Sequence, residues 1–257
     1  MEENNNDPNY FLCHCGKNIC SDCKWGITGF PPKIKIKEHI QVKKNFFLSD
    51  LDECIEYYQT DKSKNGYSNF YLDIFRNYNV NDKLNILEIG VARGSSLKVW
   101  SSIFTNSNIY GIDINEQCLN LCSDFENIKI FIGNINDSNV IDKYFQNINF
   151  DIIIDDGSHL PNDMINSFNK LFSTKLNNNG IYIIEDCGPS YSEQYKILNN
   201  YNNDDLTNIS EYLNKNSRER FNEFLLNLIK DIDFNRNSIK TIKIEKHIIS
   251  IKKDIIK

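Results

Sequence analysis

From Phe46 onward the apolar residues of this chain fall into two kinds of run. Leu51, Cys54, Ile55 and Tyr58 have helical spacing, and Ser49 stands where it would cap the first turn. Phe70, Tyr71, Ile74 and Phe75 share one face of a second helix, expected over 68–78. Short continuous apolar runs then recur at 85–90, 109–114, 128–132, 150–155 and 181–184. Helical stretches separate them, 95–104 and 164–176 being the clearest. Strands apolar on both faces and alternating with helices predict an α/β fold, a parallel sheet covered on both sides. Two β-rich runs around 242–244 and 248–251 lie close together and predict an antiparallel hairpin closing one sheet edge. The expectation is a mostly parallel seven-stranded sheet with helices on both faces, built by residues 46–257. No internal repeat is visible.

Residues 1–45 differ. They hold Pro8, Pro31 and Pro32, four of the eight cysteines, and an alternating run at 33–37 that reads as a short edge strand. They are read as an N-terminal extension carrying a cysteine cluster.

Composition narrows the function classes. Apolar residues are 40% and charged residues 25% of 257, ordinary for a folded globular chain. The formal charge is −6, which argues against nucleic acid as a partner, since phosphate binding draws on a basic excess. No apolar run is long enough to span a bilayer, and the first ten residues are acidic and Asn-rich rather than a secretory leader. A cytoplasmic protein without a membrane partner is expected. The Asn runs 4–6 and 177–179 read as the usage of an AT-rich genome, so Asn is discounted as a functional signal.

A parallel sheet binds ligands beyond the carboxyl ends of its strands. Here those ends are rich in acids and glycines. The first strand leads into Glu88-Ile89-Gly90-Val91-Ala92-Arg93-Gly94-Ser95-Ser96. The glycines allow a tight strand-to-helix turn, but Gly-x-Gly-x-x-Gly, the dinucleotide pattern, is not met. Glu-x-Gly-x-x-x-Gly suits S-adenosylmethionine, which has no pyrophosphate. Its carboxylate can sit by Ser96 and the helix N-terminus, and Asp113 can accept the ribose hydroxyls. A Cβ at Gly90 would intrude on the methionine moiety. Asp155, at another strand end, is placed with this cofactor set.

Asp155-Asp156-Gly157-Ser158-His159 follows the fourth strand and Glu185-Asp186 the fifth. Asp156, Glu185 and Asp186 would converge as three carboxylates, which calls for a cation, and hard oxygen ligands favour Mg²⁺ or a similar divalent ion. His159, three residues past Asp156, can reach the same pocket and serve as a general base at neutral pH.

These motifs resemble the class I S-adenosylmethionine-dependent methyltransferases, with their Rossmann-like fold. More narrowly, the chain is similar to the metal-dependent sugar O-methyltransferases of macrolide and rhamnosyl-polyketide biosynthesis. The resemblance rests on Gly94-Ser95-Ser96-Leu97-Lys98-Val99-Trp100, on Tyr110-Gly111-Ile112-Asp113-Ile114 and on Ile153-Ile154-Asp155-Asp156-Gly157-Ser158-His159. It rests also on Ile184-Glu185-Asp186 with Ser190-Tyr191 after it, and on Thr60-Asp61-Lys62 followed by Tyr67 and Tyr71. It covers roughly residues 50–255. It implies that Asp156, Glu185 and Asp186 hold the divalent ion and that His159 takes the proton from a sugar hydroxyl. Glu88, Gly90, Gly94, Ser96 and Asp113 hold the cofactor, with Asn134 placed to hydrogen-bond adenine where relatives carry Asp. The family's His after Thr-Asp-Lys is missing, Asn65 being nearest. The acceptor implied is a sugar or a glycosylated small molecule, and a homo-oligomer is compatible with this reading. The alternatives are a methyltransferase for another hydroxylated small molecule or nucleotide-sugar, and a non-catalytic cofactor-binding protein whose cysteine segment recruits a partner. Helices within 201–228 would help build the acceptor pocket.

Cys13, Cys15, Cys20 and Cys23 have the spacing Cys-x-Cys-x₄-Cys-x₂-Cys. It fits tetrahedral Zn²⁺ and equally a tail of free thiols, while a reducing compartment disfavours disulfides. Cys54, Cys118, Cys122 and Cys187 read as scattered apolar residues.

Overall fold

The computed structural model describes residues 46–137, 139–188 and 215–255, the last stretch with side chains from 219. The cysteine cluster, the strand expected at 33–37 and Ser190-Tyr191 lie outside the described residues, as does the first half, 201–214, of the helical segment expected within 201–228.

The chain enters through a 3₁₀ turn, Leu48–Asp50, and helices α1 (Leu51–Tyr57) and α2 (Ser68–Phe75). Strands and helices then alternate: β1 (Asn85–Ile89), α3 (Ser95–Ile103), β2 (Asn108–Asp113), β3 (Ile128–Ile132), α4 (Val140–Phe145), β4 (Phe150–Asp155), α5 (Pro161–Thr174) and β5 (Leu176–Ile184). Helix α6 (Lys215–Asp233) precedes the hairpin of β6 (Ile239–Glu245) and β7 (Ile248–Lys253). The seven strands form one sheet in the order β3-β2-β1-β4-β5-β7-β6. Strands β1 to β5 are parallel, and β7 runs antiparallel to both β5 and β6.

The two-residue period of each strand sorts its side chains to opposite faces. Ile86, Ile152, Ile154, Ile181 and Ile183 face α1–α3 and pack with Phe70, Tyr71, Phe75 and Trp100. Leu87, Ile153, Tyr182 and Ile184 face α4–α6 and pack with Phe145, Phe168, Leu171 and Phe221. Both layers are closed to water, which is why the strands read as continuous apolar runs.

Three expectations about elements change. Ser49 does not cap α1: it lies inside the 3₁₀ turn and its hydroxyl donates to Asp50. Asp50 instead accepts from the Phe47 amide. Helix α2 stops at Phe75, and 76–78 forms a turn. Strand β5 begins at Leu176, not at Ile181. The register against β4 shifts between Phe150 and Ile152, and this irregularity takes up the Asn177-Asn178-Asn179 run, with Asn179 at φ 61°.

Candidate active site

The ends of β1, β2, β4 and β5 bring together most of the residues expected to matter. After β1 the chain turns through Gly90 (φ 88°), Ala92 (φ 47°) and Gly94 (φ 72°) into α3. A Cβ on Gly90 would stand 2.1 Å from the Asp156 carbonyl oxygen. Gly90 is therefore required by the close crossing of the β1 and β4 loops, a reason the sequence did not show. Asp113 ties this loop down. Its Oδ2 accepts from the amides of Val91 (2.7 Å) and Ala92 (3.2 Å), and its Oδ1 from the Asn115 amide at 2.8 Å. Both lone pairs of Oδ2 are thereby engaged, and accepting capacity is left on Oδ1. No side chain caps α3, so the first-turn amides that follow Gly94 have no intrahelical acceptor and suit an anionic group. Ser96 is buried in that turn. The cysteines read as scattered apolar residues include two that hold the loop: the Cys118 thiol donates to the Ala92 carbonyl and Cys122 to that of Gly94. Asn134, exposed after β3, accepts from the Asn136 amide.

Strand parity decides the fate of the acids. Glu88 shares the face of Ile86 and is fully buried beneath α3, where Trp100 Nε1 donates to its Oε2 at 2.9 Å. Burial lifts its carboxyl to about 7, against the pull of Lys62. Asp155 shares the face of Ile153. It points toward α5, and its carboxylate accepts from the hydroxyls of Ser167 and Tyr182. Burial raises it to about 6, and these hydroxyls oppose the rise. Asp155 is thus 4% exposed and engaged within the protein.

Asp156, just past β4, is shared by two groups of potential ligands, in each of which the donor atoms lie within 4.8 Å of one another. The outer group is Asp156, His159 and Asp186, all partly exposed; the inner group is Glu88, Asp156 and Glu185. The expected trio of Asp156, Glu185 and Asp186 is therefore divided between two layers. In the outer layer His159 Nε2 stands 3.9 Å from Asp186 Oδ2, and the Tyr67 hydroxyl donates to Asp186 Oδ1 at 2.5 Å. His159 (φ 57°) and Asp186 (φ 50°) both adopt the left-handed backbone region, strain of the kind that gathers at working sites. The two carboxylates of this layer are the donor type that takes a hard divalent ion, and the imidazole stands beside them.

The inner layer holds a residue whose part sequence reasoning missed. Lys62 Nζ lies 2.6 Å from Glu185 Oε1, 3.0 Å from Asp156 Oδ2 and 3.4 Å from Glu88 Oε1. Burial draws its ammonium down, but Asp156, Glu185 and Glu88 together hold it well above the ordinary lysine range. The Tyr71 hydroxyl also donates to Glu185. Burial, then Asp156, push the Glu185 carboxyl up, opposed by Lys62. Thr60-Asp61-Lys62 stood out as a motif. What could have given Lys62 its role was the surplus of buried acids on the α1–α3 face.

A sheet of this strand order with a glycine loop after β1 and an acid after β2 defines a Rossmann-like methyltransferase. The FtsJ-like methyltransferase family model matches residues 71–203, about half of the chain, and the protein belongs to that family. It is 34% identical over 152 residues to the mycinamicin VI 2''-O-methyltransferase of Micromonospora griseorubida, covering 55% of this chain and 37% of that protein. To the demethylmacrocin O-methyltransferase of Streptomyces fradiae it is 32% identical, with the same coverage. A solved structure of the methyltransferase MycE from the mycinamycin pathway, in complex with Mg, SAH and mycinamycin VI, matches with a TM-score of 0.61 at 27% identity. That match covers 80% of this chain and 54% of MycE. The chain thus spans little more than a third of the first two relatives and about half of MycE. Similarity to sugar O-methyltransferases, expected from the motifs, stands. Among the described residues no helix is long and apolar enough to cross a membrane.

Proposed function

We propose that this chain is a divalent-metal-dependent O-methyltransferase that moves the methyl group of S-adenosylmethionine to a hydroxyl of a sugar or glycosylated small molecule. The observation that carries the reading is the outer cluster, Asp156, His159 and Asp186 within 4.8 Å, set beside the Gly90–Gly94 loop. The loop amides, the α3 N-terminus and the free accepting capacity of Asp113 would hold the cofactor's carboxylate and ribose, and Asn134 its adenine. Asp156 and Asp186, joined by the Glu185 oxygen that Lys62 and Tyr71 leave, would hold the ion, Mg²⁺ or similar. A bound divalent ion supplies Lewis acidity to an acceptor hydroxyl.

The chain's own groups do the rest. His159 Nε2 takes the hydroxyl proton. Tyr67 and the left-handed backbone at Asp186 fix the carboxylate against which that imidazole stands. Orientation of the acceptor oxygen toward the methyl carbon is where such a site gains most, since alignment replaces a bimolecular search. A relative named for methylating a methoxyrhamnosyl-tetracenomycin, beside the one named for mycinamicin VI, supports a sugar acceptor. Residues 1–45 are an appendage to this unit, and their cysteines remain a zinc candidate on spacing alone.

The test is turnover of labelled S-adenosylmethionine against a panel of free, nucleotide-linked and macrolide-linked sugars. Transfer should stop in EDTA and return with Mg²⁺. Transfer that continues undiminished in chelator removes the metal, and a panel with no acceptor removes the sugar.

A further inference from the structure

Selection between divalent ions depends on how many oxygens each carboxylate has left to give. Ca²⁺ takes about six to eight oxygens and commonly binds a carboxylate through both of its own, whereas Mg²⁺ takes about six in a tight octahedron and keeps several waters. A carboxylate oxygen has two lone pairs, and once both accept hydrogen bonds it has none for an ion. Glu185 is in that condition. Its Oε1 accepts from Lys62 Nζ at 2.6 Å and from the Tyr71 hydroxyl. Both donors are held firmly. Tyr71 is fully buried, with its ring centroid 4.9 Å from that of Trp100 and 5.2 Å from that of Phe75. Burial, then the charge of Glu185, keep its phenol well above the ordinary range, so it stays a donor. Lys62 is 1% exposed and donates also to Asp156 Oδ2 at 3.0 Å. Glu185 is thus left with Oε2 alone for an ion. The other two carboxylates are each tied at one oxygen as well, Asp156 Oδ2 by Lys62 and Asp186 Oδ1 by Tyr67. All three donors come from residues 62–71, the turn before α2 and its first half.

We propose that Lys62 and Tyr71 are cation-selectivity residues: by saturating Glu185 Oε1 they restrict Glu185 to one oxygen and so favour a small six-coordinate ion, Mg²⁺ or Mn²⁺, over Ca²⁺. They act through Glu185 and are positioning residues. The inference rests on the reading given above, in which Asp156, Glu185 and Asp186 hold one ion and His159 is the base beside it.

The experiment follows Mn²⁺ on the full chain by electron paramagnetic resonance, with no acceptor present, and titrates Mg²⁺ and Ca²⁺ as competitors. On wild type, Mg²⁺ should displace Mn²⁺ at a lower concentration than Ca²⁺ does. In Tyr71→Phe, which keeps the ring in the core and leaves Lys62 on Glu185, the ratio of the Ca²⁺ to the Mg²⁺ dissociation constant should fall at least threefold. A merely structural role would weaken both ions together and leave that ratio alone. Ca²⁺ as the better competitor on wild type, or a shift below threefold in Tyr71→Phe, overturns the role of the two donors. Should Tyr71→Phe not fold, Lys62→Met decides by the same threshold: both ions carry the same charge, so loss of the ammonium cancels in the ratio. Wild type that takes up no Mn²⁺ overturns the metal reading and this inference with it.

Discussion

The Tyr67 hydroxyl donates to Asp186 across 119 residues of chain, at 2.5 Å, and so fixes the carboxylate that faces His159. Burial, with the bond to Asp186, pushes the phenol far above its ordinary range, so it stays a donor at every working pH. Tyr67→Phe keeps the ring in the core and removes only this bond. A hydrogen bond to a charged group contributes about 1.5–3 kcal/mol, so the melting temperature should fall by several degrees, and turnover at a temperature where the variant is folded should fall at least about tenfold. An unchanged steady-state rate would strip Tyr67 of its supporting role.

His159→Ala should act on chemistry and leave binding alone. Loss of a general base typically costs about 10²–10⁴-fold in rate. Affinity for S-adenosylhomocysteine, measured by calorimetry, should stay within twofold, since His159 belongs to the acceptor side. A variant that keeps most of its catalytic rate would assign proton removal elsewhere.

Gly90→Ala should damage both loops at once. The new Cβ would lie 2.1 Å from the Asp156 carbonyl oxygen at a φ of +88°. The backbone strain alone is worth about 1–3 kcal/mol, and the crossing of the β1 and β4 loops must open as well. Urea unfolding should show the loss, and cofactor affinity should drop with it. A variant as stable as wild type would mean that the crossing is looser than the structure has it.

Lys253 tests the scaffold apart from the chemistry. Its ammonium, buried at the end of β7, donates to the carbonyls of Phe172 (3.0 Å), Ser173 (3.1 Å) and Leu176 (2.7 Å), where α5 ends and β5 begins. Lys253→Met would leave these acceptors without that donor, at about 1–3 kcal/mol. The midpoint of chemical denaturation should move down while the rate at low temperature holds. Loss of activity without loss of stability would point to a coupling between this corner and the site.

Much of the scaffold and of the acidic site could be read from local pattern, because strand period and strand ends are local properties. The hairpin of β6 and β7 and the glycine loop are of this kind. Parity also carried information that went unused: Asp155 falls in step with Ile153 and Asp156 does not, which separates a carboxylate held by Ser167 and Tyr182 from one at the outer cluster. Lys62 was beyond such reading. Its partners Asp156 and Glu185 lie 94 and 123 residues away, and only packing brings them together. The start of β5 was hidden because an Asn run carries no apolar alternation, although a register shift lets it join the sheet.

Strand β7 follows β6 in the chain but is inserted between β5 and β6, and the turn before it supports the site: the His247 carbonyl accepts from the Cys187 amide at 2.9 Å and from the Tyr67 hydroxyl at 3.4 Å. A nascent chain that has emerged from the ribosome only as far as β6 therefore has a bare edge on β5 and lacks the anchor for the backbone after Asp186. Assembly of the acidic centre therefore waits for β7. Until β7 docks, an unfinished chain presents an open strand to its neighbours, and the interval before docking is when this protein is most exposed to mispairing.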